Sequence, residues 1–244
     1  MEFFKSNSKR RELLLPLFEW RYLGMSELRE ASNYKGTQQG LSKMMQRLEK
    51  DGLVESFFHL YANRKFYHLT KATFKNYSEE PWYLNQEIRN HDAVASSFLF
   101  QIRKVEQVTE AYLNFPIGIF EERTRHRIIE PDGFFNANIN GALIRFALEI
   151  EINRKSSAKI ESKYDAYYKS QEIDGVIYVF NDLSILEAYY KYHEEFLVNR
   201  LKNKSHPRIG FCFTDHLGAQ NFDFLNMKRI SSEGKLDTFG SLFL

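Results

Sequence analysis

Cysteine is almost missing from this chain: Cys212 is the only one in 244 residues. That excludes an intrachain disulfide framework and a cysteine-built zinc site. Cys212 lies inside the apolar run Ile209-Gly-Phe-Cys-Phe, where a buried core thiol is the expectation. No stretch approaches the roughly 20 apolar residues a membrane-spanning helix needs. The opening Met1-Glu-Phe-Phe-Lys-Ser-Asn-Ser-Lys-Arg-Arg has no signal-peptide core followed by a small-residue cleavage site, so a cytoplasmic protein without a membrane partner is expected. Repeats and low-complexity tracts are absent as well. A strong charge of either sign is also lacking, since the formal net charge is only +2. What is present is apolar material, 43% of residues with 16% aromatic, enough for one substantial core or two small ones.

The charges are unevenly placed. Residues 1–77 hold 14 Lys/Arg against 8 Asp/Glu, whereas the remainder is slightly acidic. A basic module beside an acidic one suggests a polyanion for the first and a cation for the second. The basic segment reads as three short helices and a hairpin. Pro16 should kink or shorten the first helix, Ser26 is placed to cap the second and Thr37 the third. From Thr37 to Asp51 the residues Leu41, Met44, Met45 and Leu48 make one apolar stripe, with Gly52 as the stop. The opposite face shows Gln39, Ser42, Lys43, Gln46, Arg47 and Lys50. Two strand-like runs follow, joined by Tyr61-Ala-Asn-Arg-Lys, which puts Arg64 and Lys65 at the hairpin tip. Helix, helix, helix, hairpin is the winged-helix order, in which the third helix enters the major groove of double-stranded DNA and the tip touches its backbone. The ordinary alternative is a solvated amphipathic face. The cationic tip and the local charge surplus favour DNA.

Glu79-Glu-Pro-Trp-Tyr reads as a join, giving a winged-helix domain over 1–78 and a second domain over 79–244. The second opens with a long helix from Leu84 to about Val105, with His91 on its buried side. Strands at 127–135 and 142–152, a helix from Ala158, a buried strand at 175–180, a helix from Ser184 and a strand at 208–214 complete an α/β (α+β) pattern. Asn140-Gly141 between two alternating runs calls for a two-residue type I′ turn. With Ile139 facing Ala142, Asp132 lies opposite Glu149 and Glu130 opposite Glu151, all on one face. Like charges so opposed are destabilising unless neutralised. Mg²⁺ (or Mn²⁺) on Asp132 and Glu149 is the natural neutraliser, polarising a scissile phosphate while Glu151 or a lysine orients the attacking water. The alternative is an acid pair neutralised by Arg127, Arg145, Lys155 and Lys163.

Pro131-Asp132 followed by Glu149-Ile-Glu151 on the next strand, then a helix and a buried strand, resembles the core of PD-(D/E)xK nucleases. More closely, His91, Glu130-Pro-Asp132, Leu148-Glu-Ile-Glu-Ile-Asn-Arg154 and Lys163-Tyr-Asp-Ala-Tyr167 behind a winged helix resemble the plasmid replication-relaxation family, over roughly residues 10–214. The resemblance implies a restriction-endonuclease-like fold and a role in replication, relaxation or transcriptional control of a plasmid or other mobile element. It departs from the nuclease pattern at Glu151, where lysine is usual. Lys163 on the following helix, in a stripe with Lys159 and Tyr167, can stand in as a displaced lysine. A Mg²⁺-dependent nicking or cleaving enzyme using Asp132, Glu149, Glu151 and Lys163 is one alternative. A protein-interaction module docking through Tyr189, Tyr190 and Tyr192 is another. By analogy with winged-helix proteins, the long helix is a candidate homodimer interface, with replication or mobilisation proteins as further candidate partners.

Overall fold

The computed structural model describes residues 8–76, 86–114, 130–200, 208–215, 217–219, 223–230 and 236–243. The join at 79–83 and the first residues of the strand expected from Arg127 lie outside them. The chain is a mixture of helices and mixed β-sheet, with contacts that divide it into two compact units. One holds residues 1–100 with 115–125 and 218–221, the other 101–114, 126–217 and 222–244. Among the described residues no helix is long and apolar enough to cross a membrane.

The first unit runs α1 (Ser8–Trp20), β1 (Leu23–Gly24), α2 (Met25–Ala31), α3 (Gln38–Lys50), β2 (Val54–His59), β3 (Arg64–Leu69), α4 (Lys71–Lys75) and most of α5 (Gln86–Ile102). Its sheet has the order β1-β3-β2, all antiparallel. α1 continues through Pro16 instead of ending there, with Leu13, Leu14, Leu17 and Phe18 buried on either side of it. Ser26 does not cap α2: that place is taken by Gly24, whose backbone N–H donates to Glu27 Oε2 at 2.7 Å. The join expected before residue 79 put α5 with the second domain, whereas its residues to Phe100 belong to the first unit. Phe100 meets Trp20 edge-on, the Arg89 guanidinium lies 4.3 Å from the Phe57 ring centroid, and residues 92–100 are all buried. A helix buried on every side has no single stripe, so this segment is buried around its circumference and not amphipathic as its spacing suggests. His91 is half-buried, 3.5 Å from Asp92.

The second unit is built on a seven-stranded sheet. In chain order it contains β4 (Val108–Leu113), β5 (Gly133–Ile139), β6 (Ala142–Glu151), α6 (Ser157–Lys169), β7 (Gly175–Phe180), α7 (Leu183–Arg200), β8 (Arg208–Phe213), β9 (Lys228–Ile230) and β10 (Leu236–Thr238). The strand order is β10-β9-β8-β7-β6-β5-β4, parallel for β6-β7-β8 and antiparallel on both flanks. α6 and α7 supply the crossovers that parallel neighbours require. Both cover the same sheet face: Ile160, Tyr164 and Tyr167 of α6 and Leu186, Tyr189 and Phe196 of α7 pack on Phe134, Ala147, Val176, Tyr178, Phe180 and Phe211. Burying each such aromatic is worth roughly 1.5–3 kcal/mol, so this layer carries much of the unit's stability. β7 is buried along its whole length, as its unbroken apolar sequence requires. Cys212 on β8 is fully buried, and burial pushes its thiol up to about 12, as expected of a core thiol.

Candidate functional sites

One candidate site lies in each unit. In the first, α3 is begun by Thr37, whose Oγ1 accepts the Gly40 N–H at 3.1 Å, and is followed by Gly52 at φ +69. Leu41, Met45 and Leu48 are buried, and Met44 is half-buried at the margin of that stripe. On the other side Gln39, Lys43, Gln46, Arg47 and Lys50 are exposed and Ser42 is half-buried. The spacing 39, 43, 46, 47, 50 places these side chains along one ridge. Among the described residues no carboxylate pairs with Lys43, Arg47 or Lys50.

The hairpin differs from its expected form. The turn spans 60–63, so Arg64 and Lys65 begin β3 and do not form the tip. Arg64 is 8% exposed. Its Nη2 donates to Glu27 Oε1 at 2.8 Å and to Ser97 Oγ at 2.7 Å, and Ser97 Oγ donates in turn to Glu27 at 2.7 Å. Gly24 permits this cluster, since a Cβ there would stand 2.7 Å from Arg64 Nη1. Arg64 is therefore a core cation and does not face DNA as the sequence led one to expect. Lys65 remains 45% exposed and pairs with Glu49 of α3 at 3.1 Å; the Ser56 hydroxyl donates to the same Glu49 oxygen. The outer end of the hairpin is apolar: Phe58, Leu60 and Tyr61 are exposed. The sequence signal for it is Leu60-Tyr61 in the turn itself, beside the more conspicuous charges of Arg64 and Lys65.

The second site grows from the β5–β6 hairpin. Asn140 and Gly141 both have positive φ, +51 and +81, the conformation a type I′ turn needs. The register pairs Ile139 with Ala142 and Gly133 with Leu148, as expected from the Asn-Gly turn. One step further, the Asp132 N–H donates to the Leu148 carbonyl at 2.9 Å, and Asp132 Oδ2 accepts the Ile150 N–H at 2.6 Å. Glu149 and Glu151 share strand parity with Ala147, so they lie on the face that α6 and α7 cover. They are 0% and 2% exposed. Glu130 is exposed.

Lys163 and Tyr167, one turn apart on α6, both reach Glu149. The Lys163 ammonium donates to Oε2 and the Tyr167 hydroxyl to Oε1. Glu151 accepts from Lys155 at 2.6 Å. Burial pushes the Glu149 carboxyl up to about 7, with Lys163 pulling it down and Asp132 adding to the rise. Burial works against the Lys163 ammonium, but Glu149 and Asp132 more than reverse this and raise its pKa. Burial, then the Glu149 carboxylate, hold the Tyr167 phenol far above its ordinary value. The cluster thus joins Asp132, Glu149 and Lys163, as the displaced-lysine reading requires, and leaves Lys159 exposed outside it.

This packing does not fit a divalent cation. Both Glu149 oxygens already have protein donors, one Asp132 oxygen accepts a backbone N–H, and Glu149 offers no accessible surface. Among the described residues no group of three or more His, Cys, Asp or Glu could hold a metal ion. The charge that relieves the opposed carboxylates is the Lys163 ammonium.

The tyrosines considered for partner docking are partly spent inside the unit. Tyr189 is 1% exposed against Phe180, Tyr190 meets Phe211 edge-on, and Tyr192 accepts from Arg154 at 3.2 Å. Comparison with known proteins adds no neighbour: no family model, no curated protein and no solved structure matches this chain.

Proposed function

We propose that the protein binds double-stranded DNA through α3, and that its second unit is a nuclease-like scaffold without metal-dependent cutting. The observation that carries this reading is the α3 ridge: Gln39, Lys43, Gln46, Arg47 and Lys50 exposed in one row, the cations without carboxylate partners among the described residues. Gln, Lys and Arg are side chains that meet base edges and phosphates in the major groove. The order helix, strand, helix, helix, hairpin supports a winged helix, in which this ridge belongs to the recognition helix. Within the second unit the succession β4-β5-β6 meander, α6, β7 supports the PD-(D/E)xK likeness at the level of topology. The setting implied by the family resemblance, replication, relaxation or transcriptional control of a plasmid or other mobile element, forms part of the proposal.

The test is fluorescence anisotropy with a labelled duplex at rising salt, with supercoiled plasmid incubated in parallel with Mg²⁺ or Mn²⁺. The expected result is an affinity falling steeply with salt, weakened by Lys43→Ala and Arg47→Ala, with intact plasmid. An affinity indifferent to both substitutions would return α3 to a solvated face. Metal-dependent nicking that is lost in Asp132→Ala would overturn the scaffold reading.

A further inference from the structure

The hairpin end leaves three large apolar side chains in water within four residues. Phe58 is 56% exposed, Leu60 81% and Tyr61 68%. They are held in a fixed turn. His59, buried beneath it, accepts the Ala62 N–H on Nδ1 at 3.1 Å, so its Nε2 carries the proton and donates to the Asn90 carbonyl of α5 at 3.0 Å. Asn63 closes the turn at φ +47, with its N–H donating to Leu60 O at 3.2 Å. A turn fixed in advance loses little freedom on binding.

This end is continuous with the α3 ridge. Phe58 is the cross-strand partner of Lys65, and Lys65 and Ser56 both bond Glu49 of α3, between Arg47 and Lys50. At about 3.3 Å per residue, Leu60 lies on the order of 13 Å beyond Ser56, close to the width of a major groove and enough to pass one phosphate backbone. A partner that meets both surfaces must therefore be polyanionic beside α3 and apolar at the turn. Apart from thymine methyls in the major groove, the apolar surface of a duplex lies between its stacked base pairs, reached from the minor groove.

We infer that Leu60 and Tyr61 form a wedge that enters the DNA minor groove beside the α3 contact, partly unstacks one base step and bends the duplex. The inference rests on the DNA-binding reading of α3. Leu60 cannot contact a phosphate favourably, and its exposure in the free protein is relieved when it fills an opened step.

The test uses the full chain and a duplex with a donor and acceptor dye at its ends and 2-aminopurine at successive positions. The wild type is expected to shorten the end-to-end distance and raise 2-aminopurine emission at one step. The double variant Leu60→Ser, Tyr61→Ser should bind within about fivefold, near 1 kcal/mol, with the same salt slope, but leave the duplex straight and the probe quenched. Leu60→Met, which keeps the apolar volume, should retain the bend and controls for folding. Binding by the wild type to a straight, fully stacked duplex would overturn the wedge and leave the α3 reading intact. Absence of any anisotropy change at low salt would remove both. A wild-type dimer dispersed by the double substitution would instead assign the tip to a second copy of the chain.

Discussion

The two units use their cations in opposite ways. On α3, Lys43, Arg47 and Lys50 stand in water with no carboxylate among the described residues to answer them. In the second unit, Lys163 is drawn under the sheet face, where Glu149 accepts from it and Asp132 adds to its field. A charge left unanswered at the surface is available to a partner, whereas one enclosed by carboxylates belongs to the fold. Arg64 shows that the division follows surroundings and not the segment of chain, since it lies in the basic segment and is enclosed by Glu27 and Ser97.

The sharpest way to break this contrast is to remove one cation of each kind. Lys163→Met or Arg64→Met takes the cation from a buried carboxylate and should cost about 3–5 kcal/mol in urea unfolding at pH 8, whereas Lys43→Met should change stability by less than about 0.5 kcal/mol. Equal costs would mean that the enclosed pairs are not integral to the fold. Next in size is a pH effect. The folded state holds the Glu149 proton more tightly than the ordinary value of 4.5 allows, with a folded pKa of about 7. This contribution is full at low pH and lost as pH rises between those two values, on the order of 3 kcal/mol in all. Unfolding midpoints between pH 5 and pH 8 should show a decline in the wild type that Glu149→Gln flattens; parallel profiles would show that burial does not perturb this group. Smaller still, Arg47→Met should weaken duplex binding by about 1–2 kcal/mol and lower the salt slope by about 0.9 while leaving the urea midpoint in place. An effect of similar size on stability, about 1–2 kcal/mol without any loss of DNA affinity, is expected for Asn140→Ala, which forces a residue with a Cβ and no local side-chain hydrogen bond into a left-handed turn.

What could be read from the sequence was what short-range chemistry decides. Asn140-Gly141 determined the turn, and through the two-residue period of the strands it determined which acids face each other. The i, i+4 spacing put Lys163 and Tyr167 on one side of α6, and Thr37 with Gly52 bounded α3. What could not be read depends on partners distant in the chain. Nothing near Arg64 announces that Glu27, 37 residues earlier, will take it into the core. The acid face was legible as a face, but its covering by two helices and the resulting burial of Glu149 and Glu151 were not. The turn runs over 60–63 and not over 61–65, and that exchanges a cationic tip for an apolar one.

The Lys163–Glu149 contact also bears on how this sequence can change over generations. Losing Lys163 leaves Glu149 without its cation in a dry interior, and losing Glu149 leaves a half-buried ammonium without its nearest carboxylate, yet replacing both by well-packed apolar side chains of similar volume can be nearly neutral or even stabilising. The two positions, 14 residues apart, are thus bound to one another in descent: each is costly to alter first and permissive once its counterpart has gone. Related chains that carry an apolar residue at one of them should carry one at the other, and intermediates with a single replacement should be rare.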